Sequence, residues 1–166
     1  MSTVHPDAES ANFRMAMREF ASGVAIVTCA NGKERGGCTA TALASLSLVP
    51  PSLVVCLERA SATLTNLTKA GAFAVNILAA GHGPLATRFS GRDGVHGEAR
   101  FEDGDWLPLV TGAPALADAL ASIDCRVEEI LERHTHAIVI GVVQAVRIGA
   151  NTSGLLHWRS RFQTLD

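Results

Sequence analysis

The sequence predicts a mainly β fold with helices, an antiparallel barrel carrying a few of them, on three observations. Strand-like segments outnumber helical ones. They follow one another as hairpins rather than in regular β-α-β alternation. The two longest, "LASIDCRVEEILE" and "THAIVIGVVQAVRIG", are rich in valine and isoleucine, partly alternating, and joined by a short polar link at Arg133 and His134, as two long antiparallel strands would be.

In chain order, Phe13, Met17 and Phe20 recur at helical spacing in "ESANFRMAMREFASG", with Gly23 placed to stop an opening amphipathic helix. "VAIVTCA" reads as a strand, Asn31 and Gly32 as a tight turn, and "ERGGCTAT" as the returning strand. "SLVVCLE" (Ser52 to Glu58) is a buried strand, "SATLTNLTKAG" a short helix ended by Gly71, and "AFAVNIL" a further strand. "LLHWRSRF", after the "GANTSG" turn, is a final short strand.

A chain of 166 residues with 48% hydrophobic and 18% charged residues fits one domain, 1–166, with its core over about 13–162. A net charge of −2 and no Lys/Arg cluster beside aromatic residues argue against a nucleic-acid partner. "MSTVHPDAES" has neither a basic nor an apolar targeting region, and no apolar run approaches a membrane span, so the expected setting is cytoplasmic, without membrane contact. Cys29, Cys38, Cys56 and Cys125 are widely spaced with no C-x-x-C, the pattern of reduced thiols rather than of zinc ligands or a disulfide framework.

The chemistry concentrates in "CTATALASLSLVPP". On an extended chain Thr39 and Thr41 share one side, Ser45 and Ser47 share a side, and Leu46 and Leu48 face away, so two hydroxyl pairs can line a groove before Pro50 and Pro51 stiffen the exit. An ordinary half-exposed strand and loop would look the same. Ser61 is placed as the N-cap of the next helix, with Thr63 beside it, where anions are also held. Asn76 is a polar residue in an apolar strand, serving either nearby backbone or a ligand. His134 and His136 with Glu132 suggest a metal cluster only faintly, and no metal is expected; His136 is also placed to hydrogen-bond a substrate amide. "GHGPLA", Gly81 to Ala86, matches a dinucleotide fingerprint with Asp103 at about the expected distance, but no β-α-β unit continues from it. His157, Arg159 and Arg161 either meet phosphate or decorate an edge strand.

The ordered set "ASGVAIVT", "CTATALASLSLVPPSLVVCL", "SATL", "GAFAVNILAA", "LATRFSG", "HAIVIGVV" and "LLHWRSRF" resembles the flavin reductase family, the FMN-binding split-barrel reductase components of two-component flavin monooxygenases. The resemblance implies a six-stranded antiparallel split β-barrel, a homodimer with flavin at its interface, FMN or FAD as flavin, NADH or NADPH as hydride donor, and a separate oxygenase receiving reduced flavin. It implies that Thr39, Ala40, Thr41, Ser45, Leu46 and Ser47 run along the isoalloxazine and ribityl chain, and that Cys56, Leu57, Ser61 and Thr63 help hold the phosphate. Phe89 and Ser90 match a further flavin-proximal element, His136 matches a histidine near the nicotinamide, and Asn76, His157 and Arg159 complete the expected cofactor contacts. Relatives carry an aromatic and a histidine in varied order where His157 and Trp158 stand. Related split barrels reduce corrinoid cobalt, and a non-catalytic flavin carrier or sensor would share these motifs; a pyridoxamine phosphate oxidase would bring more basic phosphate ligands than stand here.

Overall fold

A computed structural model describes the backbone of residues 6–166 and the side chains from residue 9 onward; residues 1–5, part of the stretch read for a targeting signal, lie outside it. Helix α1 (Pro6–Arg18) is followed by a two-residue strand β1 (Ser22–Gly23), the hairpin β2 (Ala25–Asn31) and β3 (Glu34–Ala40), then β4 (Leu43–Leu48) and β5 (Pro51–Glu58). After these come α2 (Ala62–Ala70), β6 (Ala72–Ile77), the short helix α3 (Gly83–Phe89), the small pair β7 (Trp106–Pro108) and β8 (Pro114–Leu116), the long pair β9 (Ala121–Arg133) and β10 (His136–Ile148), and β11 (Gly154–Trp158) with β12 (Arg161–Leu165). Among the described residues no helix is long and apolar enough to cross a membrane.

The expectation of an antiparallel, mainly β chain with a few helices holds, with every strand pairing antiparallel. The principal sheet has seven strands, in the order β3-β2-β6-β9-β10-β5-β4, where six were expected. Its inner face buries Val27, Cys29, Ala40, Val55, Leu57, Phe73, Val75, Cys125, Ala137 and Val139 in one cluster with Leu64 and Leu67 of α2, so six strands carry that core. The seventh, β4, adds only the partly buried Leu43. Gly141 of β10 leaves room for the Phe73 ring, since a Cβ there would stand 2.5 Å from Cζ.

A second cluster lies on the other face of β2, where Val24 and Ile26 meet Leu85, Ala86 and Phe89 of α3, Phe101, Leu116 and Leu155. Both faces of β2 are therefore covered, which explains why Ala25 to Cys29 are all buried. Asn76 of β6 sits between the layers at 0% exposure. Its amide donates to the Ile26 carbonyl and to Thr28 Oγ1, both at 3.1 Å, and its carbonyl accepts from Leu116 N and Ser122 Oγ, both at 2.8 Å. A buried amide saturated in this way has no group left to offer a ligand.

Three local expectations change. Helix α1 ends at Arg18, ahead of Gly23, and leaves Phe13, Met17 and Phe20 exposed at 66%, 49% and 66% instead of packing them on the sheet. The loop of the first hairpin is Gly32–Lys33, closed by the Asn31–Glu34 pair with Gly32 at φ 63°, a conformation glycine adopts without steric cost. The single terminal strand is a hairpin, β11 and β12, turning at Arg159 and Ser160 in the left-handed region.

Candidate functional site

A cleft of about 620 Å³ opens between the end of β3 with the residues that follow it, the end of β5, the first turn of α2, the segment after α3 and the start of β10. Its floor is the small-residue strip Cys38 to Ala42, its walls include Cys56, Leu57, Ser61, Thr63, Phe89 and Ser90, and His136 stands at its mouth. A narrower cleft of about 180 Å³ continues from it toward the β11–β12 hairpin, sharing Thr39, Thr41, Ser90 and Arg92 and adding Thr87, His157 and Phe162.

The floor follows from local sequence. β3 ends at Ala40, Thr41 and Ala42 leave the ladder before β4 begins, and the Ala42 carbonyl is held by Cys56 N at 3.0 Å. Alanines and threonines here put little bulk between backbone and cavity. Thr39 and Thr41 line the same cavities, as their two-residue spacing requires. Beneath them Gly37 lets the Phe89 ring approach, because a Cβ at Gly37 would stand 2.8 Å from Phe89 Cε1 and 2.9 Å from the Val27 carbonyl. Phe89 is 1% exposed and packs edge-on against Phe101 at 5.0 Å between ring centroids.

Most of the hydroxyl protons are already used. Thr39 Oγ1 donates to the Ala86 carbonyl at 2.6 Å, Ser61 Oγ to the Glu58 carbonyl at 2.7 Å, and Ser90 Oγ to the Thr87 carbonyl at 2.6 Å. Ser61 also accepts from Leu64 N at 3.2 Å, the N-cap expected from sequence. These oxygens can accept further bonds but their protons are committed. His136 opens β10, exposed, with Nδ1 2.9 Å from Thr135 Oγ1. Arg59 braces the adjoining turn by donating to the His134 carbonyl at 3.0 Å and pairing with Glu132 at 2.6 Å. Burial raises the Cys38 thiol pKa, against the opposing influence of the Thr63 hydroxyl and the Arg100 charge.

The structure does not bring every expected residue to this cleft. A bulge in the β4–β5 pairing between Ser45 and Ser47 breaks the alternation that would aim both serines into one groove. Ser45 and Leu46 are exposed on the edge strand, and Ser47 Oγ accepts from Val49 N at 3.1 Å. Asn76 is locked in the core by the bonds described above. Arg159 pairs with Glu19 and stacks over Trp158 at 4.6 Å, on the far side of the β11–β12 turn. His157 reaches only the narrower cleft. Sequence reasoning passed over Arg92, His96 and Arg100, which line the main cleft from the segment after α3, because a polar loop of glycines and charges carries no periodic signal. The "GHGPLA" match forms a short 3₁₀ turn and α3, and Gly81 and His82 border a separate cavity of about 530 Å³ walled by Glu102, Asp103, Asp105 and Asp118, whose charge repels phosphate.

Residues 17–166 match the family described as flavin reductase like domain. The chain is 42% identical over 160 residues to an FMN reductase (NADH) RutF 1 of Methylorubrum extorquens, covering 95% of this chain and 77% of that one. Its structure is similar to the NADH:FAD oxidoreductase SgcE6 of Streptomyces globisporus C-1027 in complex with NAD and FAD fragments, at 30% identity and a TM-score of 0.86, covering 100% of this chain and 98% of that one. It is also similar to BorF, the flavin reductase component of a bacterial two-component tryptophan halogenase, at 29% identity and a TM-score of 0.86, covering 94% and 98%. A match over nine-tenths of the chain, joined to a cleft floored by the small-residue strip those motifs contain, places this chain in the flavin reductase-like domain family.

Proposed function

We propose that the chain is a single-domain NAD(P)H-dependent flavin reductase, binding FMN or FAD in the main cleft, accepting hydride from NADH or NADPH, and passing reduced flavin to a separate oxygenase component. One observation carries the reading: a cleft of about 620 Å³ is lined both by the small-residue strip Cys38 to Ala42 and by the basic side chains Arg92, His96 and Arg100, a size and polarity that fit a ring with a phosphate tail. The relatives named FMN reductase (NADH) support FMN with NADH as the first pair to try, and BorF supports a partner that consumes reduced flavin. When bound, the flavin supplies the hydride acceptor and the nicotinamide the donor.

The chain's own task is positional. The small side chains of Cys38 to Ala42 let backbone groups approach a ring, and Leu57 with Phe89 keeps water from one side. The Thr41 hydroxyl, unlike that of Thr39, is not tied to a neighbouring carbonyl, so it can donate to a ligand oxygen. His136, exposed at the mouth, positions a second ring by hydrogen bonding. Ser61 and Thr63 border the phosphate end, Ser90 and His157 the narrower cleft. Ser45, Leu46 and Ser47 meet a cofactor only if a second copy brings this edge strand to its neighbour's cleft. The six core-bearing strands support a split barrel, and the exposed Leu48, Val49, Val146 and Ile148 support a homodimer. Four free cysteines support a reducing, cytoplasmic setting.

The test is consumption of NADH or NADPH with FMN or FAD added in turn. Flavin-dependent consumption is the expected result. Flavin binding without consumption favours a carrier or a corrinoid reductase, and absence of flavin binding overturns the reading.

A further inference from the structure

The loop after α3 carries three basic side chains into the cleft, and its geometry separates their roles. Arg100 is spent on neutral acceptors: Nε donates to the Val95 carbonyl and Nη1 to the Gly37 carbonyl, both at 2.9 Å, with a longer contact from Nη1 to the Phe89 carbonyl at 3.4 Å. Nη2 lies 3.4 Å from His96 Nδ1. Arg100 thus clips the loop onto β3. Gly91, at φ 74°, is where the backbone passes close over it, since a Cβ there would stand 2.9 Å from Nη2. The Arg35–Glu98 ion pair fastens the loop from the other side, and the Arg35 hydrogen bond holds the Glu98 carboxyl below the usual range. The loop is a braced element, and what it presents is fixed.

It presents Arg92 and His96. His96 Nδ1 faces the Arg100 guanidinium at 3.4 Å, which leaves Nε2 as the ring nitrogen turned to a ligand. Arg92 lines both clefts and forms no ion pair among the described residues, whereas its neighbours Arg88 and Arg35 are neutralised by Asp93, Asp103 and Glu98. A phosphoryl group at neutral pH mainly accepts hydrogen bonds, and in this cleft the protons of Thr39, Ser61 and Ser90 are already given to carbonyls. That leaves Thr41 and Thr63 among the cleft hydroxyls, both uncharged, so a charged donor for the phosphoryl group must come from the loop.

We propose that Arg92 and His96 are the side chains that recognise the flavin's phosphoryl group, with Arg100 as the positioning residue that holds their loop. The assignment rests on the flavin reading of the cleft and adds to it which of the basic side chains recognise the ligand and which one only holds the loop. It makes phosphorylated flavin, rather than riboflavin, the substrate that the loop selects.

The test is fluorescence titration of FMN and of riboflavin with the full chain, as wild type and as Arg92→Ala and His96→Gln. Both side chains are exposed, so both variants should keep the wild-type thermal midpoint. Arg92→Ala should weaken FMN about tenfold or more and His96→Gln by less, with riboflavin affinity changed less than about twofold and the KM for NADH unmoved. Equal weakening of FMN and riboflavin, or unchanged FMN affinity in Arg92→Ala, overturns the proposal and leaves the flavin site standing. A rise in the KM for NADH with FMN unaffected overturns it too, by assigning the cation to the nicotinamide nucleotide. If the wild type binds neither flavin, the reading of the cleft fails and the phosphate assignment fails with it.

Discussion

At the scale of single residues, distant contacts set what a side chain can do: the Thr39 proton is given to the Ala86 carbonyl, 47 positions away. Cys29 and Cys125 are set by their surroundings in the same way. Burial, with Cys38 adding to it for Cys29 and Asp124 for Cys125, pushes both thiols up to about 12, whereas an unfolded thiol ionises near 8.5. The folded state keeps its protons longer, so this part of stability is fully present below about pH 8.5 and is lost as pH rises toward about 12. The thermal midpoint should fall through that window in the wild type and fall less steeply in Cys125→Ala; parallel profiles would contradict the assignment. Gly37→Ala should lower stability by about 1 to 3 kcal/mol, read by chemical unfolding, since its Cβ meets both the buried Phe89 ring and the Val27 carbonyl.

At the scale of elements, what was legible was what is local. The β2–β3 hairpin, helix α2 from its Ser61 cap to its Gly71 stop, and the β9–β10 pair are encoded by turn residues, caps and β-branched runs within their own spans. Helix α3, β7 and β8 left no comparable trace, being seven, three and three residues long, too short for a period to show. The bulge at Ser45 to Ser47 was illegible for another reason: it depends on the register with β5, which the strand's own residues do not state. Ser61→Ala isolates the cap. It should cost about 1 kcal/mol of stability by denaturant titration and change FMN affinity by less than about threefold, because the hydroxyl already serves Leu64 N and the Glu58 carbonyl. A large loss of affinity at full stability would make Ser61 a direct ligand instead.

At the scale of the whole molecule, burial patterns are where an isolated chain misleads. An amphipathic helix was legible at Phe13, Met17 and Phe20, but the face it presents is not covered by its own sheet. Exposed apolar groups also stand at Leu46, Leu48, Val49, Val146 and Ile148. If they meet a second copy, light scattering gives twice the chain mass, and Leu48→Glu with Ile148→Glu lowers it to one; a monomeric wild type would remove the interface role of β4. The cleft itself draws on β3, β5, α2, the loop after α3 and β10, so it exists only once the sheet has formed. Its floor at Thr41 is exposed and outside the ladder, which makes it a place where bulk can be added without disturbing the core. The most direct measurement is therefore the bleaching of FMN by NADH without oxygen, in the wild type and in Thr41→Trp. Rapid bleaching by the wild type and loss of most of that rate in the variant is the outcome this account predicts. No bleaching by the wild type, or equal rates in both proteins, would contradict it.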